Sequence, residues 1–107
     1  MKSEKVLLIA CPQKELLLEL EYRELSIEGC RFIEKSRGIG PGSKIYFVDG
    51  KAQRGYFKVS RTGRVGQRTR VYYFLDSWKS DLRFLSKELK EDTIITKSEL
   101  EKLYSRG

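Results

Sequence analysis

The chain has 107 residues, 39% of them apolar and 35% charged, and it carries 22 Lys and Arg against 15 Asp and Glu, a net charge of +7. That length holds one domain, expected to span residues 1–107, with one modest core. With no His and no run near the roughly 18 apolar residues of a membrane span, histidine-based catalysis and transmembrane insertion are excluded, and a soluble, cytoplasmic protein is expected.

The chain opens with Lys5–Ala10, whose apolar centre (Val6, Leu7, Leu8, Ile9) predicts a buried strand. Pro12 permits a helix start, and the Leu, Glu, Lys and Gln of 13–27 predict a helix ended by Gly29, although Leu18, Leu20 and Tyr22 also alternate as in a strand. A strand is expected over 30–35, then a turn-rich loop, Gly38-Ile39-Gly40-Pro41-Gly42-Ser43. Three strands rich in aromatic and β-branched residues follow: 44–49 (KIYFVD), 53–60 (QRGYFKVS) and 69–76 (TRVYYFLD). Asp49-Gly50 predicts a hairpin between the first two, and 61–68 (RTGRVGQR) reads as a longer, positive loop. After this β core of about 5–76, helices are expected over about 77–106. Trp78, Leu82, Leu85 and Leu89 make a helical stripe, 92–95 is a short extended piece, and Thr96-Lys97-Ser98-Glu99 is a capping box opening a last helix with Leu100, Leu103 and Tyr104 inward.

The charge is not spread along this chain. Residues 1–49 and 76–107 are each neutral, so the excess of seven lies in 50–75, where Lys51, Arg54, Lys58, Arg61, Arg64, Arg68 and Arg70 occur with no acid. Such confinement reads as a footprint for a polyanion. Strand alternation with Gly55, Phe57, Val59, Val71, Tyr73 and Leu75 inward turns Arg54, Tyr56, Lys58, Arg70, Tyr72 and Phe74 outward, with Lys44 and Tyr46 on the same side. Aromatic faces that stack on unpaired bases, among cations that track phosphates, are what single-stranded nucleic acid requires. In 61–68, Arg61, Arg64 and Arg68 with Gly63 and Gly66 can grip a phosphate. The competing reading is a sheet face covered by long Lys and Arg stems, or by the carboxyl-terminal helix.

Other candidates carry less. Gly38 to Lys44 (GIGPGSK) departs from a phosphate-binding loop, since Ser43 replaces its second glycine and a strand follows. Cys11 and Cys30 lack metal-ligand spacing and read as two reduced, buried thiols, so neither a metal nor another cofactor is expected. Trp78 reads as core. The absence of Asn and the high charge content suit a protein adapted to high temperature.

The order strand, helix, then Ile27-Glu28-Gly29-Cys30-Arg31-Phe32-Ile33-Glu34-Lys35-Ser36-Arg37, then Pro41-Gly42-Ser43-Lys44-Ile45-Tyr46-Phe47-Val48 and Gly55-Tyr56-Phe57-Lys58-Val59, resembles the PUA-like superfamily, in particular its ASCH and EVE branches and small archaeal relatives. The resemblance covers roughly residues 5–75 and implies an α+β fold: a small mixed or antiparallel β-barrel with flanking helices that binds RNA or modified bases. It also implies that Arg31, Lys35 and Arg37 line the cleft. Ser43 stands where that turn usually has Asp, and the Lys and Thr that ASCH-type amidohydrolases use appear here as Cys30 or Arg31 and Phe32 or Ile33. The expectation is therefore a non-catalytic RNA-binding module using Arg31, Lys35, Arg37, Arg54, Tyr56, Lys58, Arg61, Arg64, Arg68, Arg70 and Tyr72. The alternatives are an enzyme acting on RNA or a modified nucleoside, with Lys35 as base and Glu34 beside it, and a module that binds an acidic protein. The sequence leaves the oligomeric state open.

Overall fold

The computed structural model describes residues 4–21, 25–34 and 38–105. Its elements are β1 (Lys5–Ala10), α1 (Gln13–Glu21), β2 (Glu28–Ile33), β3 (Lys44–Asp49), β4 (Ala52–Val65), β5 (Arg68–Phe84), β6 (Thr93–Thr96) and α2 (Lys97–Leu103). The strands form one mixed sheet in the order β2-β5-β4-β3-β1-β6. Only the β1–β3 pairing is parallel, as the passage from β1 through α1 and β2 requires.

Both faces of the sheet are partly covered, and alternation along each strand divides the apolar residues between them. Leu7, Ile9, Ile45, Phe47, Phe57, Val59, Val71, Tyr73 and Leu75 form the first core, with Leu16 of α1 buried among them. Val6, Leu8, Tyr46 and Val48 form the second core, closed by Leu85, by Leu100 of α2, and by half-buried Leu89, Leu103 and Tyr104. The buried centre of β1, residues 6–9, is therefore a continuous apolar run because it has cover on both sides. The predicted capping box starts α2: Glu99 N–H donates to Thr96 Oγ1 (3.1 Å) and Thr96 N–H donates to Glu99 Oε1 (3.1 Å).

Five expectations about the fold are corrected. The sheet is α+β as read, but it is not closed into a barrel. Edge strands β2 and β6 approach across a cleft lined by Ile33, Ile94, Arg68, Glu34, Glu91 and Asp92, and charged side chains at that seam discourage backbone pairing. Helix α1 ends at Glu21 among the described residues, short of residue 27; the Ile27 carbonyl already accepts from Leu75 N–H (3.0 Å), so strand pairing claims that backbone. The strand after it, expected at 30–35, accordingly begins at Glu28.

The segment 61–68 is no loop. Strand β4 continues to Val65 and β5 starts at Arg68, joined by a two-residue turn in which Gly66 has φ +64°, a conformation glycine adopts without strain. The DG hairpin at Gly50 (φ +61°) has the same form, as predicted. Finally, the stripe from Trp78 to Leu89 is not helical. Strand β5 runs on to Phe84 because the first half of β4 needs a hydrogen-bonding neighbour there, pairing Ala52 with Phe84 and Gly55 with Ser80. Gly55 makes this approach possible: a Cβ there would lie 2.3 Å from the Lys79 carbonyl oxygen and 2.7 Å from the Trp78 ring. Trp78 does join the first core, 4.8 Å from the Phe57 ring centroid, whereas Leu82 and Phe84 stay exposed.

Candidate nucleic-acid interface

Residues directly opposite each other on neighbouring strands project from the same face, so register alone assembles the surface. On the face carrying the second core, one row across the sheet reads Lys44, Lys58, Phe74, Glu28. The next reads Arg61, Tyr72, Cys30; the third Gly63, Arg70, Phe32; the fourth Val65, Arg68. Five cations and three aromatic rings thus share a continuous patch on one half of this face, with Glu28 its one carboxylate among these rows.

Contacts within the patch order the long side chains. The Arg61 guanidinium lies 3.9 Å over the centroid of Tyr72. Arg70 lies 4.7 Å over Phe32 and donates from Nη1 to the Tyr72 hydroxyl (3.0 Å). Lys44 Nζ sits 4.8 Å over Tyr56. Cation–π contacts of this kind hold guanidinium groups flat against the sheet while leaving their outer N–H groups free for phosphate oxygens. Phe32 and Phe74 remain 42% and 41% exposed, enough to present a ring face to a ligand. At the patch edge, Glu28 accepts from Ser60 Oγ and from Arg61 Nη2 (3.4 Å); the Ser60 hydrogen bond, then Arg61, hold its carboxyl below the usual glutamate range.

The structure divides the sequence-predicted residues. Lys58, Arg61, Arg68, Arg70 and Tyr72 come together, with Lys44 beside them. Arg64 stands opposite Thr69, and Arg31 opposite Val71, so both project from the other face. Arg31 donates from Nη2 to Cys11 Sγ (3.4 Å) and covers the Phe47 ring at 5.1 Å, which makes it a partner of the first core. Arg54 is half-buried and falls at the irregularity between Gln53 and Gly55, outside these rows of the register. Tyr56 is half-buried and packs on buried Tyr46 (centroids 5.2 Å apart), so both tyrosines are cover for the second core, and Tyr46 is withdrawn from the outward set. Glu34 is exposed in the seam cleft, while Lys35 and Arg37 lie outside the described residues. Cys11 is buried as expected, but Cys30 is exposed on the patch.

Sequence reasoning missed Phe32 and Glu28 as neighbours of the patch. Their signal was the alternation of Glu28, Cys30 and Phe32, which became useful only once β2 was known to pair with β5. Beneath the first core's rim, the Tyr73 hydroxyl donates to Glu19, whose carboxyl is pushed up by burial against the opposing pull of Arg31; burial also raises the Cys11 thiol. No helix among the described residues is long and apolar enough to cross a membrane. Compared with protein-family models, curated protein sequences and solved structures, the chain has no significant match in any of the three.

Proposed function

We propose that the protein is an RNA-binding module whose ligand lies across the uncovered half of the sheet face. The observation that carries this reading is the set of four consecutive rows with Lys44, Lys58, Arg61, Arg68 and Arg70 interleaved with Phe32, Tyr72 and Phe74. A flat sheet surface with exposed rings favours bases that are unstacked and splayed, so a single strand fits better than a duplex. Cations supply affinity through counterion release, and rings supply base stacking of about 1–3 kcal/mol per base. The PUA-like resemblance of the sequence supports the same ligand class, and we extend it only as part of this proposal, with the barrel opened along the β2–β6 seam.

Fluorescence anisotropy with a short single-stranded RNA across a salt series tests the reading. Affinity is expected to fall linearly in log[salt], and Arg61→Ala or Arg68→Ala to reduce the slope by about one each. Arg64→Ala, from the opposite face, is expected to leave the slope unchanged. Absence of binding at low salt, or equal slope changes from both faces, overturns the proposal.

A further inference from the structure

A carboxylate on a phosphate-binding surface repels the ligand's backbone, so Glu28 calls for a role of its own. It lines a shallow groove of about 620 Å³ along the outer edge of β2, with Leu25, Ile27, Cys30 and Tyr72 among the other walls. Leu25 and Ile27 are strongly exposed and offer flat apolar cover, while the Glu28 side chain remains 29% exposed. Ser60 Oγ donates to Oε2 and Arg61 Nη2 to Oε1, which fixes the carboxylate plane. An ionised carboxylate accepts about four hydrogen bonds, so each oxygen keeps a free lone pair.

Those two acceptors side by side discriminate among bases. Guanine presents two adjacent donors on its pairing edge, N1–H and the N2 amino group. Adenine and cytosine set their amino donor beside a ring-nitrogen acceptor, and uracil flanks N3–H with two carbonyl oxygens. An acceptor-only group facing such acceptors gains at most one hydrogen bond and suffers repulsion from the neighbouring lone pairs. We infer that the Glu28 groove takes a guanine of the bound RNA, with N1–H and N2–H donating to the two carboxylate oxygens and Leu25 and Ile27 covering the ring. This rests on the RNA-binding reading, and it adds a base specificity that the basic rows cannot supply, since phosphate contacts carry no sequence information.

The test measures anisotropy at fixed low salt for RNAs identical except at one central position, carrying guanine, inosine or adenine, with an all-uridine strand as reference. The guanine strand is expected to bind roughly 5- to 150-fold more tightly than the adenine strand, the range for one bidentate contact, with inosine, which lacks the N2 amino group, between them. In Glu28→Gln the guanine preference collapses while affinity for the uridine strand stays equal or rises, because a negative charge has left the surface. Equal affinity for guanine and adenine in the unmodified protein overturns the guanine assignment and leaves RNA binding standing. A preference that survives Glu28→Gln also overturns it. No binding of any strand overturns both this assignment and the RNA-binding reading. The guanine, inosine and adenine comparison needs no variant, so it decides the matter even where Glu28→Gln folds poorly.

Discussion

Two halves of one sheet face carry the same residue types and are covered differently. In the half nearer β6, Tyr46 and Tyr56 lie against Val48, Leu85, Leu100 and Tyr104 under α2 and the segment that leads to it. In the half nearer β2, the Tyr72 and Phe32 rings carry only the guanidinium groups of Arg61 and Arg70, and Phe32 and Phe74 stay exposed. The covered half has converted its polar groups into internal pairs: Tyr104 hydroxyl donates to Gln53 Oε1 (2.8 Å), and Gln53 Nε2 donates to the Asp81 carbonyl (3.0 Å). The bare half keeps its cations in water. A tyrosine on a strand is thus buried in a core or left at the surface according to what lies over it, and its own strand does not say which.

The sharpest way to break this contrast is to truncate one tyrosine from each half. Tyr46→Ala is expected to cost about 3–5 kcal/mol of stability by chemical denaturation, as for a large buried ring, with RNA affinity per folded molecule unchanged. Tyr72→Ala is expected to cost no more than about 1 kcal/mol of stability, as at a solvent-facing site, while weakening RNA binding by about 1–3 kcal/mol. Equal stability losses from the two variants would remove the distinction between the halves.

A smaller effect sharpens the role of the cover. Thr96→Ala removes the side-chain acceptor of the capping box, so a loss of about 1 kcal/mol is expected on thermal unfolding, together with faster amide exchange in α2 and none of this change in β2. The smallest effect concerns the opposite face. Burial raises the folded-state value of Glu19 above its unfolded one, so the native state binds the proton more tightly and stability falls as pH climbs through the interval between the two. Glu19→Gln, which keeps an acceptor for the Tyr73 hydroxyl, is expected to be the more stable protein at neutral pH. That advantage shrinks as the solution is acidified from the raised folded-state value toward the ordinary glutamate range and changes no further below it, which denaturant midpoints at several pH values can follow.

Much of this was legible in the residues. Alternation in 53–60 and 69–76 correctly turned Phe57, Val59, Val71, Tyr73 and Leu75 inward and Lys58, Arg70, Tyr72 and Phe74 outward, because a period of two admits no other choice once one face is apolar. The DG hairpin and the Thr96 capping box were likewise readable, since both depend on residues adjacent in the chain. The stripe Trp78, Leu82, Leu85, Leu89 misled because its spacing satisfies a helix, while residues 79–84 pair with Ala52 to Tyr56 and the Leu85 and Leu89 amides donate to the Lys51 and Gly50 carbonyls, all more than twenty positions away. Arg31 entered through the family resemblance and Arg64 through the count of cations in 50–75, and neither route says which face of the sheet a side chain takes; register places both on the face of the first core.

The sequence by itself determined that an acid-free run of cations from 50 to 75 would be threaded through β strands, and which of their side chains alternate, because charge and periodicity are local properties. Tertiary structure alone decided which of those cations share a surface. Register across β2, β5 and β4 joined Phe32 and Glu28 to Arg61 and Arg70, and the docking of α2 claimed Tyr46 and Tyr56 for the core. Such pairings are set by hydrogen bonds and apolar burial between residues distant in the chain, a free-energy difference that no window along the sequence contains.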